Sequence, residues 1–409
     1  MRRFDRNKTA TNLVHSINPT MLIITLLCSF VVLVVGQENY SWRKDYMLDF
    51  SYDTDANNGP RDWESVDTDN SEYEQFTSIQ WHLIFDLELE GNVCESELRP
   101  SPIALDINDN ECPDEHDIRT RRITSRDCKK DDITFEITPH ALRAYYPYHD
   151  LDCYRPTIMM DGSDSPFLLV WMELHARSEH VVDGKRYDAE LQMVHMGTRN
   201  SNDEMATVSV LIDASADRDH PEFQFLLDQW QSVADAEEDR CEKRRANRKL
   251  RENVRKGAII NSIRKKKTAS KQNSKDILDS DNASQFHRRD QYCNPNRQSE
   301  CGPRRRMFPY SLWPSIWYFR YSGGLTTPPC SSIVNWRIID APMLISRKQF
   351  RQLAKLQASY RNDECDPEPV LTPQGENFRP LQEGNSNRQP VSHCTSQHFD
   401  ESLYLPGNQ

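Results

Sequence analysis

The chain has 409 residues and a formal net charge of −12, with 51 Lys and Arg against 63 Asp and Glu. Its eleven cysteines include no CxxC pair and no Cys/His ladder, which excludes a zinc finger. The length suits one large domain with insertions, or two ordinary ones.

Residues 1–20 carry Arg2, Arg3, Arg6 and Lys8 against Asp5 alone, and an apolar run follows from Met21 to Gly36. As a helix that run would span about 24 Å, short of the roughly 30 Å hydrocarbon core. It reads as a secretory signal with a long basic n-region and small residues at Val34 and Gly36 for cleavage, or as a short signal-anchor. A core helix is the weaker alternative, because the run has no polar face. Positive charge ahead of the run predicts a cytosolic N-terminus and a lumenal or extracellular remainder. The ten cysteines beyond it (Cys94, Cys112, Cys128, Cys153, Cys241, Cys293, Cys301, Cys330, Cys365 and Cys394) form an even set suited to an oxidising compartment. Sequons at Asn39 and Asn282 are candidate glycosylation sites there. Residues 37–50 read as a linker, and Asp45 to Glu74 is a polar, loosely ordered lead-in.

A domain is expected over 51–392, with insertions near 66–90, 110–130 and 236–306 and a tail at 393–409. Strand-like runs rich in Val, Ile, Trp and Tyr occur at Ile133–Ile137, Phe167–His175, Ala189–His195, Thr207–Ile212, Trp317–Tyr321 and Ile333–Ile339. Helical signals are fewer. One covers Pro221–Val233, and the other covers Ser346–Tyr360, with apolar Phe350, Leu353 and Leu356. Many strands and few helices predict a β-dominated α+β domain. Residues 240–306 hold 21 Lys and Arg against 7 Asp and Glu, net +14, so the rest of the chain carries −26. The plain reading is a solvated insertion. The sharper one is an arm for a protein or anionic-surface partner. Nucleic acid is not an expected partner. The arm lies behind a secretory signal, and Phe286 and Tyr292 are too few to stack bases.

Five motifs then carry a resemblance. Gly59–Trp63 (GPRDW), Ser101–Ile107 (SPIALDI), Ser178–His195 (SEHVVDGKRYDAELQMVH), Tyr321–Trp336 (YSGGLTTPPCSSIVNW), and NFRPLQ from Asn377 with Asn387-Arg388 stand in this order. Together they resemble the α-class carbonic anhydrases from about Ser51 to Ser392. LTTPPC and the SEH…ELxxVH pair are highly specific. The resemblance implies a twisted, mostly antiparallel central sheet of about ten strands with a metal site at the bottom of a cone. It also implies a disulfide between Cys94 and Cys330.

The family's reaction is reversible hydration of CO2. Three neutral imidazoles hold Zn²⁺ and leave a position for water, whose pKa falls to about 7. Two of the imidazoles come as HxH on one strand, where alternate residues share a face. Aligned on SEH, that pair falls on Glu173-Leu174-His175, and the third ligand falls on Gln192. A carboxylate in place of one imidazole is compatible with catalytic zinc. An amide oxygen is a poor partner for zinc beside imidazole nitrogen. Weak or absent Zn²⁺ binding is therefore expected. The open alternatives are Mg²⁺ or Mn²⁺, or a metal-free network in which Glu173 bonds Gln192 or His175.

By the same resemblance Thr326, with Thr327 beside it, would orient the metal-bound hydroxide and pass a hydrogen bond to Glu179. Val194 and Leu325 would form the apolar wall of the CO2 pocket, and Glu190 would steady the third ligand. His180 and His195 match buried structural histidines. Trp171 stands where the family usually has Gln. The proton-shuttle histidine is expected near Cys153–Thr157, which contains none. Two functions lead, ahead of a structural or mineral-associated matrix protein that rests only on the charged insertion. One is a secreted or lumenal carbonic anhydrase-related protein with a degraded zinc site, acting as a binding module. The other is an active carbonic anhydrase converting CO2 and bicarbonate through a Glu/His/Gln metal site.

Overall fold

A computed structural model describes residues 50–66, 92–95, 100–107, 110–112, 118–120, 126–147, 153–160, 166–197, 205–265, 307–382 and 391–395. The apolar run 21–36, both sequons, residues 266–306 and Asn387-Arg388 lie outside them. Among the described residues no helix is long and apolar enough to cross a membrane.

In chain order the strands are β1 (Ala104–Leu105), β2 (Asn110–Glu111), β3 (Ile118–Thr120), β4 (Thr134–Ile137), β5 (Leu142–Tyr145), β6 (Thr157–Met160) and β7 (Phe167–His175). They continue with β8 (Val181–Val182), β9 (Lys185–Arg186), β10 (Ala189–Gly197), β11 (Met205–Ala216), β12 (Trp317–Gly323), β13 (Val334–Ser346) and β14 (Ser392–Thr395). Helix α1 (Pro221–Lys265) follows β11, and α2 (Arg347–Gln357) follows β13. Eleven strands form one sheet in the order β2-β14-β12-β13-β11-β10-β7-β5-β4, with β6 also pairing β7 and β3 pairing β6. Its pairs are antiparallel except β11–β13 and β14–β2. The expected β-dominated α+β architecture, with a mostly antiparallel sheet of about ten strands, is what the chain adopts. Strands β1, β8 and β9 make a small separate sheet.

Alternation along β7 and β10 gives the sheet two different faces. On one face Met172, Leu174, Leu191, Met193, Val208 and Val210 pack against Phe223, Leu226 and Trp230 of α1 and Leu353 and Leu356 of α2. The intervening residues Glu173, His175, Glu190, Gln192 and Val194 turn to the other face. All nine residues of β10 are buried, so its polar side chains must find partners inside the protein.

Helix α2 begins as expected at Ser346, whose side chain accepts from the Gln349 N–H while Gln349 returns the bond. The α1 expectation needs correction: the helix does not stop at Val233 but runs on to Lys265. The first part of the basic stretch 240–306 is therefore helical. The physical reason lies in long-range anchors that leave no apolar periodicity. Cys241 is buried and bonded to Cys365. Arg240, Arg244 and Arg245 donate to the carbonyls of Asn362, Asp363 and Cys365. Beyond that staple every side chain from Glu242 to Val254 is exposed. Three further disulfides join Cys94 to Cys330, Cys112 to Cys394 and Cys128 to Cys153.

Candidate functional site

Strand register assembles the site in two rows. In the first, Gln192 of β10 lies opposite Glu173 of β7, and Glu173 lies opposite Arg143 of β5. In the second, Glu190 of β10 lies opposite His175 of β7. Residues directly opposite in antiparallel strands present side chains to the same face. Glu173, His175 and Gln192 thus share one polar layer. Arg143, which sequence reasoning missed, joins them.

Glu173 is bonded to that arginine. Arg143 Nε donates to Glu173 Oε2 at 2.8 Å, and Glu173 Oε1 lies 3.7 Å from His175 Nε2. Burial alone would raise the Glu173 carboxyl, but the Arg143 guanidinium and His175 outweigh it and hold it at about 2. His175 Nδ1 donates to the Asn377 carbonyl at 2.8 Å, while its Nε2 is buried without a hydrogen-bond partner. Burial alone would lower the imidazole, but Glu179, Glu173 and the Asn377 carbonyl push it up to about 9. Of the two partners foreseen for Glu173, His175 lies 3.7 Å away, while Gln192, directly opposite, gives its amide hydrogens to Glu179 and Glu190 instead.

Gln192 commits its amide hydrogens to carboxylates. Its Nε2 donates to Glu179 Oε2 at 2.8 Å and to Glu190 Oε1 at 3.2 Å. The other Glu179 oxygen accepts the Arg379 backbone N–H at 2.9 Å. Thr326 is buried, and among the described residues it makes no hydrogen bond to Glu179. The expected Thr326–Glu179 link is therefore replaced by Gln192, whose amide reaches the same carboxylate. Thr327 lies in the same loop, where its carbonyl accepts from the Cys330 N–H. Glu190 collects the Glu179 and His180 backbone N–H groups, His180 Nδ1 and Ser209 Oγ, all within 2.9 Å. His180 Nε2 in turn meets the Tyr321 hydroxyl at 2.7 Å, and that hydroxyl meets Ser101 Oγ at 3.0 Å. His195 is held by the Ala206 carbonyl and the Tyr310 hydroxyl. Burial lowers its pKa to about 3. Val194 and Leu325 belong to one apolar cluster with Trp171 and Trp336.

The segment expected to flank the site is corrected. Cys153 is tied to Cys128, and Thr157 pairs with Leu168 near the start of β7, away from Glu173 and His175. The histidine beside the site is His140, just ahead of β5. Its carbonyl accepts from Asn377 Nδ2 at 2.7 Å, and its ring stacks on Phe50 with centroids 3.9 Å apart. Burial, then the Arg143 charge, lowers its pKa to about 3, so it stays neutral and is unsuited to relay protons near pH 7.

These residues fit a zinc centre poorly. One imidazole is present where three are needed, and one carboxylate oxygen is engaged by a guanidinium. The amide nitrogen of Gln192 is held between two carboxylates. Among the described residues no cluster of three His, Cys, Asp or Glu is arranged to hold a metal. The unpartnered Nε2 of His175 is the feature that favours a ligand.

The sequence model of eukaryotic-type carbonic anhydrases matches residues 88–255 and 258–392. A putative carbonic anhydrase 3 of Caenorhabditis elegans is 23% identical over 334 residues, covering 77% of this chain and 98% of that protein. Carbonic anhydrase 3 of Rattus norvegicus is 26% identical over 214 residues, or 50% of this chain and 55% of that protein. A Pectobacterium atrosepticum carbonic anhydrase is 38% identical over 53 residues; the match spans 13% of this chain and 22% of that enzyme. Among solved structures, the α-carbonic anhydrase of Thermovibrio ammonificans with the inhibitor sulfanilamide is 18% identical. It covers 85% of this chain and 100% of its own, with a TM-score of 0.47.

Proposed function

Because the chain belongs to the carbonic anhydrase family, we propose that it is a carbonic anhydrase-related protein that keeps the family's fold without efficient CO2 hydration and serves as a binding module. The observation that carries this reading is the Arg143–Glu173 pair at 2.8 Å, which engages the carboxylate standing at one of the two positions that lack an imidazole. Zinc would supply the acidic water of the family's reaction, and one imidazole, one arginine-bound carboxylate and one amide are a poor cage for it. We place the protein in the secretory pathway, lumenal or extracellular, with residues 21–36 as cleaved signal or single membrane anchor. Four disulfides support an oxidising compartment. The basic stretch 240–306, helical up to Lys265, is the candidate arm for a protein or anionic-surface partner.

A second reading, a working carbonic anhydrase acting on CO2 and bicarbonate with Glu173, His175 and Gln192 as ligands, is favoured by the free Nε2 of His175. Metal analysis separates the two. The full chain, produced through a secretory route with Zn²⁺ and Mn²⁺ supplied, is expected to carry substoichiometric metal and to leave CO2 hydration at the uncatalysed rate. Stoichiometric metal together with sulfonamide-sensitive CO2 hydration overturns the first reading.

A further inference from the structure

Charge balance at the site leads further. Glu173 and Glu179 are both buried, and a buried carboxylate is tolerated only when it is paired and hydrogen-bonded. In a metal centre the ion supplies that pairing. Here the chain supplies it. We propose that Arg143 is a built-in cation that takes the place of a divalent metal at the Glu173, His175 and Gln192 positions, closing the site to zinc by charge and by occupying Glu173. The proposal rests on the reading that this chain does not run zinc chemistry.

Register carries the argument. Arg143, Glu173 and Gln192 form one row across β5, β7 and β10, so the arginine is a member of the polar layer and not a surface residue folding over it. The bond from its Nε to the carboxylate is short and charge-assisted. Guanidinium, carboxylate and imidazole then follow one another: Oε2 of Glu173 takes the arginine, and Oε1 lies 3.7 Å from the unpartnered His175 Nε2. A divalent ion on that nitrogen would meet the guanidinium charge across a single carboxylate. The strand that bears Arg143 is also held from behind. Trp230 of α1 donates to the Arg143 carbonyl at 2.9 Å, and Leu142 and Ala144 on either side of Arg143 are buried in the core. Restoring the two missing imidazoles therefore leaves the site incomplete. Glu173→His removes the arginine's counterion and keeps the arginine.

The test compares zinc affinity in Glu173→His/Gln192→His with that in the same background carrying Arg143→Gln, and with Arg143→Lys as the charge-keeping control. Competition with a chromophoric chelator gives the affinity. The visible spectrum of Co²⁺-loaded protein reports tetrahedral ligation, and thermal unfolding confirms that each variant is folded. The double variant and the Arg143→Lys control should bind weakly, and Arg143→Gln should tighten zinc by ~100-fold through removal of the like charge. Equal affinity with and without Arg143, or no zinc in any folded variant, overturns the proposal while leaving the acatalytic reading intact. Stoichiometric zinc in the unmodified chain overturns both. If the multiple variants do not fold, Arg143→Gln alone decides: it should raise Co²⁺ and Zn²⁺ affinity above the weak binding of the unmodified chain, and no gain counts against the idea.

Discussion

Replacing Glu190 by Gln tests the polar layer without touching the residues argued to meet a metal. The carboxylate is fully buried and accepts from five donors: the backbone N–H groups of Glu179 and His180, His180 Nδ1, Gln192 Nε2 and Ser209 Oγ. An amide keeps one acceptor oxygen and brings an NH2. Whichever way it turns, its nitrogen faces at least two of those donors. At ~1–3 kcal/mol for each buried donor left unsatisfied, the loss is about 4 kcal/mol. The same contacts also depress the carboxyl pKa, which gives a second figure. Burial alone would raise the carboxyl, but His180 and Ser209 hold it at about 2, against an ordinary 4.5. At ~1.36 kcal/mol per pKa unit this is worth about 3 kcal/mol. Because the folded-state value is depressed, that stabilisation is complete above pH 4.5 and is lost as the pH falls toward 2. Urea unfolding with disulfides intact should show the variant ~3–4 kcal/mol less stable at pH 7, with the gap narrowing by ~2 kcal/mol at pH 3. A gap under ~1 kcal/mol at pH 7, or one that does not change with pH, would refute the reasoning.

Two further expectations follow from the same structure. A Cβ on Gly323 would lie 2.2 Å from Ser101 Oγ and 2.7 Å from the Tyr321 ring, so Gly323→Ala should cost about 2 kcal/mol by overpacking; an unchanged denaturation midpoint would show that this corner is soft. The Cys241–Cys365 bridge closes a 124-residue separation, so replacing both cysteines with Ser should cost ~4 kcal/mol. It should also speed amide exchange in α1 beyond position 241, and exchange unaltered there would mean that the arginine contacts to the loop at 362–365 suffice.

What the sequence made legible, and what it did not, follows from how each residue is positioned. Glu173, His175 and Gln192 were brought together by the resemblance, through the SEH and ELxxVH motifs, and the two-residue period of a strand added only that Glu173 and His175 share a face. Arg143 had no such signal. Its strand is four residues, Leu-Arg-Ala-Tyr, without a β-branched side chain, and its partner lies thirty positions away. Asn377, which orients His175 and supports the turn at His140, is 202 residues from the imidazole it holds. The far half of α1 was illegible for a different reason. From Glu242 to Val254 the side chains face water and leave no apolar stripe to read, and the anchors of this stretch sit on a loop more than a hundred positions downstream. Sequence could therefore show that imidazoles were missing, but only strand pairing shows what replaced them. A lost ligand invites the view of a decayed site, with a carboxylate stranded in the core. The pairing argues otherwise: a carboxylate at 173 is stable because an arginine at 143 faces it, and neither residue makes sense in that buried layer without the other.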